Sequence, residues 1–425
     1  SREYNNIISG HDLKGEINIT NNILSSEVNI SVGSSIYINP SSESDTEINI
    51  IGNEIRNKDK NGITIGELPD RKVNIEAEAD VMKDLKINIS NNEIYSASEY
   101  GISVNNSNYD NLAINISNNE IRYFDTDSLV RGSINYLDVI YSIPVGGIII
   151  NNSNNNTAKT TIRNNYISDI NIENRAVFGI LVNNNASENG DIKNIIENNN
   201  IHKLDTDNFG PLVESKNVSS LDIDAAGIAV LNKGYNSKNL STSIAQNNIS
   251  SIDGVDNSVG IYVLNGEMLF SSRVIQDNYK FDNASTNIQG NVVSDVVSSQ
   301  NSIGLFVVNS NLMSSDTVIE NNKIVDFTSN EMNSYTGLAS SNVENAKLSF
   351  KGNEITGNLG GGGLTLLRDN LNFINIIDNK LTNLDYGLMI FGEEDSILKR
   401  ELENNNQYNN IDDGNKVIFD MMDQD

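Results

Sequence analysis

Residues 87–104 read Ile87-Asn88-Ile89-Ser90-Asn91-Asn92-Glu93-Ile94-Tyr95-Ser96-Ala97-Ser98-Glu99-Tyr100-Gly101-Ile102-Ser103-Val104. Two local signals alternate in this stretch. Ile87-Asn-Ile89-Ser has period two, which is the pattern of a half-buried strand. An Asn-Asn pair then breaks it, and Asn suits a sharp corner because it tolerates the left-handed region and its side chain bonds neighbouring backbone. A short strand opens on Ile94, and Gly101-Ile102-Ser103-Val104 starts another. The same order returns as Asn165-Tyr166-Ile167 with Gly179-Ile180-Leu181-Val182, and as Asn322-Lys323-Ile324 with Gly337-Leu338. Self-similarity at tens of residues is the mark of a solenoid, whose repeats pack only on their neighbours.

Working outward from Asn92 gives a series of equivalent corners: Asn22, Asn53, Asn92, Asn119, Asn165, Asn199, Asn247, Asn278, Asn322, Asn353, Asn379 and Asn405. The interval from a glycine to the next corner is 18 at Gly101, Gly147, Gly260, Gly304 and Gly387, and 20 at Gly179 and Gly227. A half-coil of that length holds two strands and a bend. The expected fold is therefore all-β, a right-handed parallel β-helix of about twelve coils, as one solenoid over 1–425. Three short strands per coil stack at roughly 4.8 Å, giving a rod roughly 55 Å long. The corner asparagines are expected to stack as a buried ladder, so Asn165→Ala should cost more stability than loss of an exposed Asn154.

The other half-coil, from corner to glycine, varies. It spans 9 residues after Asn53 and Asn92, 13–15 after Asn165, Asn247 and Asn322, and 26–28 after Asn119, Asn199 and Asn278. The long segments 122–146, 202–226 and 281–303 thus fall on alternate coils and are expected to protrude as a row about two coils, or roughly 10 Å, apart. An insertion at 66–81 belongs to a different half-coil and another face. Gly360 to Gly363 reads as a tight corner.

Bulk properties narrow the function. The net charge of -28 and pI near 4.3 repel phosphate backbones and anionic lipid. There is no Cys and no Trp, only four Pro, and 6% aromatic residues, which suits a thin core of stacked Ile, Val and Leu. No run of about 20 apolar residues is present. Ser1-Arg2-Glu3-Tyr4 is not a signal peptide, and the expectation is a fragment or mature segment.

The Asn-Asn-x-Ile and Gly-Ile-x-Val coils resemble the right-handed parallel β-helix of the pectin-lyase-like superfamily. Within it they are most similar to surface-exposed passenger domains of Gram-negative autotransporters, over about Ile17 to Ile418. The absence of Cys, the acidity and the Asn-rich composition agree with that resemblance; a C-terminal β-barrel is missing. The resemblance implies an extracellular, bacterial outer-membrane surface location and an adhesin. Its partner would be a host-cell glycan or protein, or the same protein on a neighbouring cell. A self-associating module or inert spacer is also open. The fold class further includes pectate lyases, polygalacturonases and phage tailspike glycosidases, so a polysaccharide lyase or glycoside hydrolase is the alternative.

Residue chemistry favours binding over catalysis. Glycoside hydrolysis needs two carboxylates about 5–9.5 Å apart; Asp125/Asp127 and Asp205/Asp207 are such pairs, but among 57 acidic residues chance pairs abound. Polygalacturonase-type motifs are not reproduced, and Asp412-Asp413 lies in the last coil. His11 and His202 have unrelated contexts, so Zn²⁺ and Ser-His-Asp chemistry lack support. Asp125, Asp127, Asp205 and Asp207 could offer hard oxygens to Ca²⁺, but no calcium-loop motif accompanies them, and no cofactor is expected. The candidate contact residues are Asp125, Asp127, Tyr136 and Tyr141 in one long segment and Asp205, Asp207, Phe209 and Glu214 in the next, the aromatic rings giving area and the carboxylates polar bonds. Shortening both segments is expected to abolish binding.

Overall fold

The computed structural model describes residues 7–25, 34–41, 44–56, 61–66, 83–95, 99–125, 145–153, 155–173, 175–186, 190–207, 223–234, 238–266, 281–329, 334–357, 361–368, 371–391 and 396–420. They form a right-handed parallel β-helix with three strands per coil. Coil 4 shows the plan: a first-column strand Tyr100–Ser107, a second-column strand Asn111–Ser117, the corner Asn119, and a third-column strand Glu120–Asp125. Each strand pairs in parallel with its equivalents above and below, as Ile102 does with Ile63 and Ile148. The third column contains twelve strands, from Ile23–Ser25 to Gln407–Asn409, one per coil.

The corner works as its residue types dictate. In coils 1–11 its first residue is left-handed, with φ between 55° and 70°: Asn21, Gly52, Asn91, Asn118, Asn164, Asn198, Gln246, Gly290, Asn321, Gly352 and Asp378. The second is the ladder asparagine. Its backbone N–H and its Nδ2 both donate to the Oδ1 of the next coil's asparagine, at 2.9–3.1 Å along the whole series from Asn22 to Asn406. The second Nδ2 proton goes back to a carbonyl of the preceding coil, Ile116 for Asn165 and Ile162 for Asn199. Every amide inside the ladder therefore has its donors and acceptor filled, which makes a buried polar column tolerable.

Two rungs differ from the sequence reading. The rung between Asn247 and Asn322 is Asn291, not Asn278, which lies outside the described residues. The recurrence of 18 at Gly260 was coincidental: coil 8 carries its extra length between Asn257–Asn265 and Phe281–Gln289. The last rung is Asn406. Asn405 ends a helix, α1 (Ser396–Asn405), that replaces the second-column strand of coil 12 and buries Leu402. Asn406 Nδ2 and the Tyr408 hydroxyl donate to the Leu402 carbonyl at 2.9 and 3.1 Å, so α1 closes the C-terminal end of the ladder.

The motif glycines are packing residues with ordinary φ. A Cβ on Gly179 would stand 2.5 Å from Ile201 Cγ2 and 2.6 Å from the Gly227 carbonyl oxygen, and Gly101, Gly147, Gly227, Gly260 and Gly304 meet equivalent neighbours. A third-column side chain, Ile in most coils and Val293 beside Gly260, occupies the space a side chain would need. Gly363 belongs to this column within the strand Gly361–Arg368, so Gly361 to Gly363 is strand rather than a corner.

The core is Ile55, Ile94, Ile121, Ile167, Ile201 and Ile249 from the third column, with Ile63, Ile102, Ile148, Ile180, Ile228 and Ile261 from the first, all essentially solvent-free. Coils 4–9 are wider, because their third strands run six to eight residues instead of three. In coils 5–9 a second left-handed residue (Asp169, Lys203, Ser251, Asp295, Asp326) bends that strand and turns Ile170, Leu204, Ile252, Val296 and Phe327 inward. Coils 5–9 also contain a polar seam. Asn152, Asn184, Asn232, Asn265 and Asn309 donate in series at 2.8–2.9 Å, and lean on Thr160, Asn194, Thr242, Thr286 and Thr317 of the second column. Finally, the outer face of the first column is itself apolar there. Ile149, Phe178, Leu181, Ala229, Tyr262 and Phe306 form a second buried cluster in which the Tyr262 and Phe306 rings stack at 6.1 Å.

Candidate acidic face of the rod

Third-column strands alternate inward and outward, so their outward residues make rows along the rod. One register row comprises the backbone positions Asp125, Asn171, Asp205 and Asp253 in coils 4–7, of which Asn171, Asp205 and Asp253 present their side chains on the outside. Asp125 and Asp205 thus share a row two coils, about 10 Å, apart. Glu173 and Asp207 are backbone register partners two residues further on. The segments leaving this edge are shorter than the sequence reading had them: Arg122–Asp125, His202–Asp207, Val145–Gly146 and Ala225–Ala226 are strand, leaving 126–144 and 208–222. Asp127, Tyr136, Tyr141, Phe209 and Glu214 lie outside the described residues.

The third expected protrusion is overturned. Residues 281–303 are the strands Phe281–Gln289 and Val292–Ser298, the corner Asn291, and the start of Asn301–Glu320. The long segments on alternate coils therefore number two, after Asn119 and Asn199, 80 residues apart. Asp205 and Asp207 sit in a strand and Asp125 ends one, so the second Asp-Thr-Asp segment is extended rather than wrapped into a loop. Among the described residues no group of three His, Cys, Asp or Glu is placed to hold a metal ion.

Behind the row, where the chain crosses into the first column, the corner is pinned by ions. Glu99 and Arg175 form a largely buried pair at 2.9 Å across two coils, and the Arg175 carbonyl accepts from the Thr206 hydroxyl at 2.9 Å. Asp224, 2% exposed, accepts the backbone N–H groups of Asp256 and Asn257 at 2.6 and 2.8 Å. Asp256 in turn accepts from the Gln300 amide at 3.0 Å. These carboxylates hold the edge from which 126–144 and 208–222 depart and to which they return.

Beside the row, Lys203 bonds Asp169 at 3.0 Å. Burial opposes ionisation of Asp169, but hydrogen bonds from Lys203 and Ser168, with the nearby charges of Lys203 and His202, hold its pKa below the ordinary carboxylate value. A lowered folded pKa stabilises the fold above the unfolded value and is lost as pH falls through the folded one. Lys203→Met is therefore expected to remove under about 1 kcal/mol at pH 7 and nothing at a pH below both values. Urea midpoints measured against pH for both proteins check this. His202 Nδ1 lies 2.9 Å from Ser250 Oγ, a contact the sequence did not suggest.

A second polar strip occupies coils 2–5 of the same sheet. Glu54, Glu93, Glu120 and Tyr166 are register partners, with Arg56, Tyr95 and Arg122 beside them. The Tyr95 hydroxyl donates to Glu93 and Glu120 at 3.3 and 3.2 Å. Burial and the two carboxylates push its pKa up to about 12. Arg122 pairs with Glu120 at 2.6 Å and lies 4.5 Å above the Tyr166 ring, and Arg56 pairs with Glu54 and lies 5.4 Å above Tyr95. The strip is largely half-buried and its charges are paired with one another. No helix among the described residues is long and apolar enough to cross a membrane. No known protein family, curated protein or solved structure matches the chain.

Proposed function

We propose that the chain is the rod of a cell-surface adhesin, which holds an acidic contact face away from the cell and binds a basic or polyhydroxylated surface through it. The observation that carries this reading is the register row Asp125-Asn171-Asp205-Asp253 along the third-column strands of coils 4–7. In-register strands bring single carboxylates of coils 4, 6 and 7 to one register position along the rod, suited to an extended partner. The pinned corner makes the array rigid before contact, which lowers the entropy lost on binding. Extracellular display at a bacterial surface belongs to the same proposal.

The test is binding of the labelled protein to host cells and to immobilised glycans and matrix proteins, beside D125N/D205N/D253N. The triple variant changes side chains of the third-column strands only and leaves the outer first-column cluster of Ile149, Leu181 and Phe306 untouched. About tenfold weaker binding and a shallower salt dependence are expected, with the β-sheet circular dichroism spectrum retained. Unaltered binding by the variant sinks the reading. Sugar release from the same panel would instead favour the polysaccharide-degrading alternative. Clumping promoted by salt, which screens the charge of -28, would favour self-association.

A further inference from the structure

The polar seam in the core stops abruptly at its N-terminal end, and the manner of stopping points to a bound molecule. In coils 5–9 each first-column asparagine faces a hydroxyl or amide of the second column: Thr160 faces Asn152 and Asn194 faces Asn184. One coil below, Asn106 is the register partner of Asn152, but Ile114 is the register partner of Thr160. Asn106 continues the amide series and its counterpart is a hydrocarbon. Both side chains are more than nine-tenths buried, at 7% and 3% exposure. Oδ1 and Nδ2 of Asn106 and Oδ1 of Asn152 have no hydrogen-bond partner within the protein. Asn152 Nδ2 is already engaged by Asn184 Oδ1 at 2.8 Å.

We infer that an ordered water molecule is bound between Asn106 and Asn152 as the terminal member of the seam. Burying polar atoms unpaired is costly, and a buried water with two to four polar partners is the usual remedy. The donor set selects water over a cation: two amide oxygens ask for donated protons, while the Asn106 amide protons repel positive charge. Such a water donates to Asn152 Oδ1 and bonds one polar atom of Asn106. It supplies in coil 4 what the Thr160 hydroxyl supplies in coil 5. The seam is thus hydrated where it ends, and Asn106, the more exposed of the two, marks the side of exchange with solvent.

A crystal structure of the whole chain at about 1.5 Å tests this. The expected result is a density peak within about 3.2 Å of Asn152 Oδ1 and of one Asn106 side-chain atom. The inference is overturned if the Asn106 amide instead turns to donate directly to Asn152 Oδ1 with no peak beside them. It is equally overturned if both oxygens line an empty site.

Discussion

Asn165→Ala is expected to lower the unfolding free energy by about 3–5 kcal/mol, far more than an asparagine truncation on a strand surface. The wild-type side chain accepts from the N–H and Nδ2 of Asn119, both at 3.0 Å. It donates to Asn199 Oδ1 at 2.9 Å and to the Ile116 and Arg163 carbonyls at 3.1 Å. Alanine removes all of these and strands two buried donors of Asn119, with no route for water at 1% exposure. Stranded partners cost more than the bonds themselves contribute. Asn165→Asp is no remedy at neutral pH, because it keeps the acceptor but turns a carboxylate towards the carbonyl oxygens of Ile116 and Asn199. The control is Asn248→Ala, exposed and with one bond of 3.3 Å to Asn200, expected within about 0.5 kcal/mol of wild type. Urea unfolding of the two variants separates the cases; equal midpoints would remove the ladder from the account of stability. Asn154, the control suggested by sequence alone, lies outside the described residues.

Gly179→Ala is expected to cost more than about 3 kcal/mol or to prevent soluble expression. The new methyl would meet the Gly227 carbonyl oxygen at 2.6 Å and Ile201 Cγ2 at 2.5 Å. The oxygen is fixed by the strand ladder and the Ile is solvent-free, so neither can yield without separating two coils. The strain is steric, since φ at Gly179 is ordinary. Gly414→Ala, whose Cβ would touch nothing within 4 Å, should melt with the wild type. A benign Gly179→Ala would mean that the coils are looser than these contacts imply.

The two predictions also show what a reader of the sequence can and cannot see. Asn92, Asn119 and Asn165 were legible because an Asn-Asn pair followed by x-Ile marks both the left-handed residue and the rung. Asn291 was not, because Gly290 stands in the first place and Val293 in the Ile position, while Asn278 offered a matching interval. The seam was invisible for a different reason. Asn184 sits within Asn183-Asn184-Asn185, and a polar run reads as loop unless partners at long range are known to bury it. Helix α1 was missed because Leu398-Lys399-Arg400-Glu401-Leu402 interrupts a pattern read throughout as coils. Of the candidate site, Asp125 and Asp205 were picked out as candidate contacts, but their common register position comes from the structure. The contribution of Asn171 and Asp253 to that row depends on register, which spacing between corners does not determine.

The ladder has a mechanical consequence. Its hydrogen bonds run along the rod axis, so force applied through the ends loads one junction at a time, and a coil that lets go leaves its neighbour intact. Rungs are separated by 26 residues between Asn353 and Asn379 and by 48 between Asn199 and Asn247. At roughly 3.5 Å per extended residue, each rupture would pay out about 90–170 Å of chain. A tether built this way would yield under tension as a staircase of unequal steps, the longest between Asn119 and Asn165 and between Asn199 and Asn247.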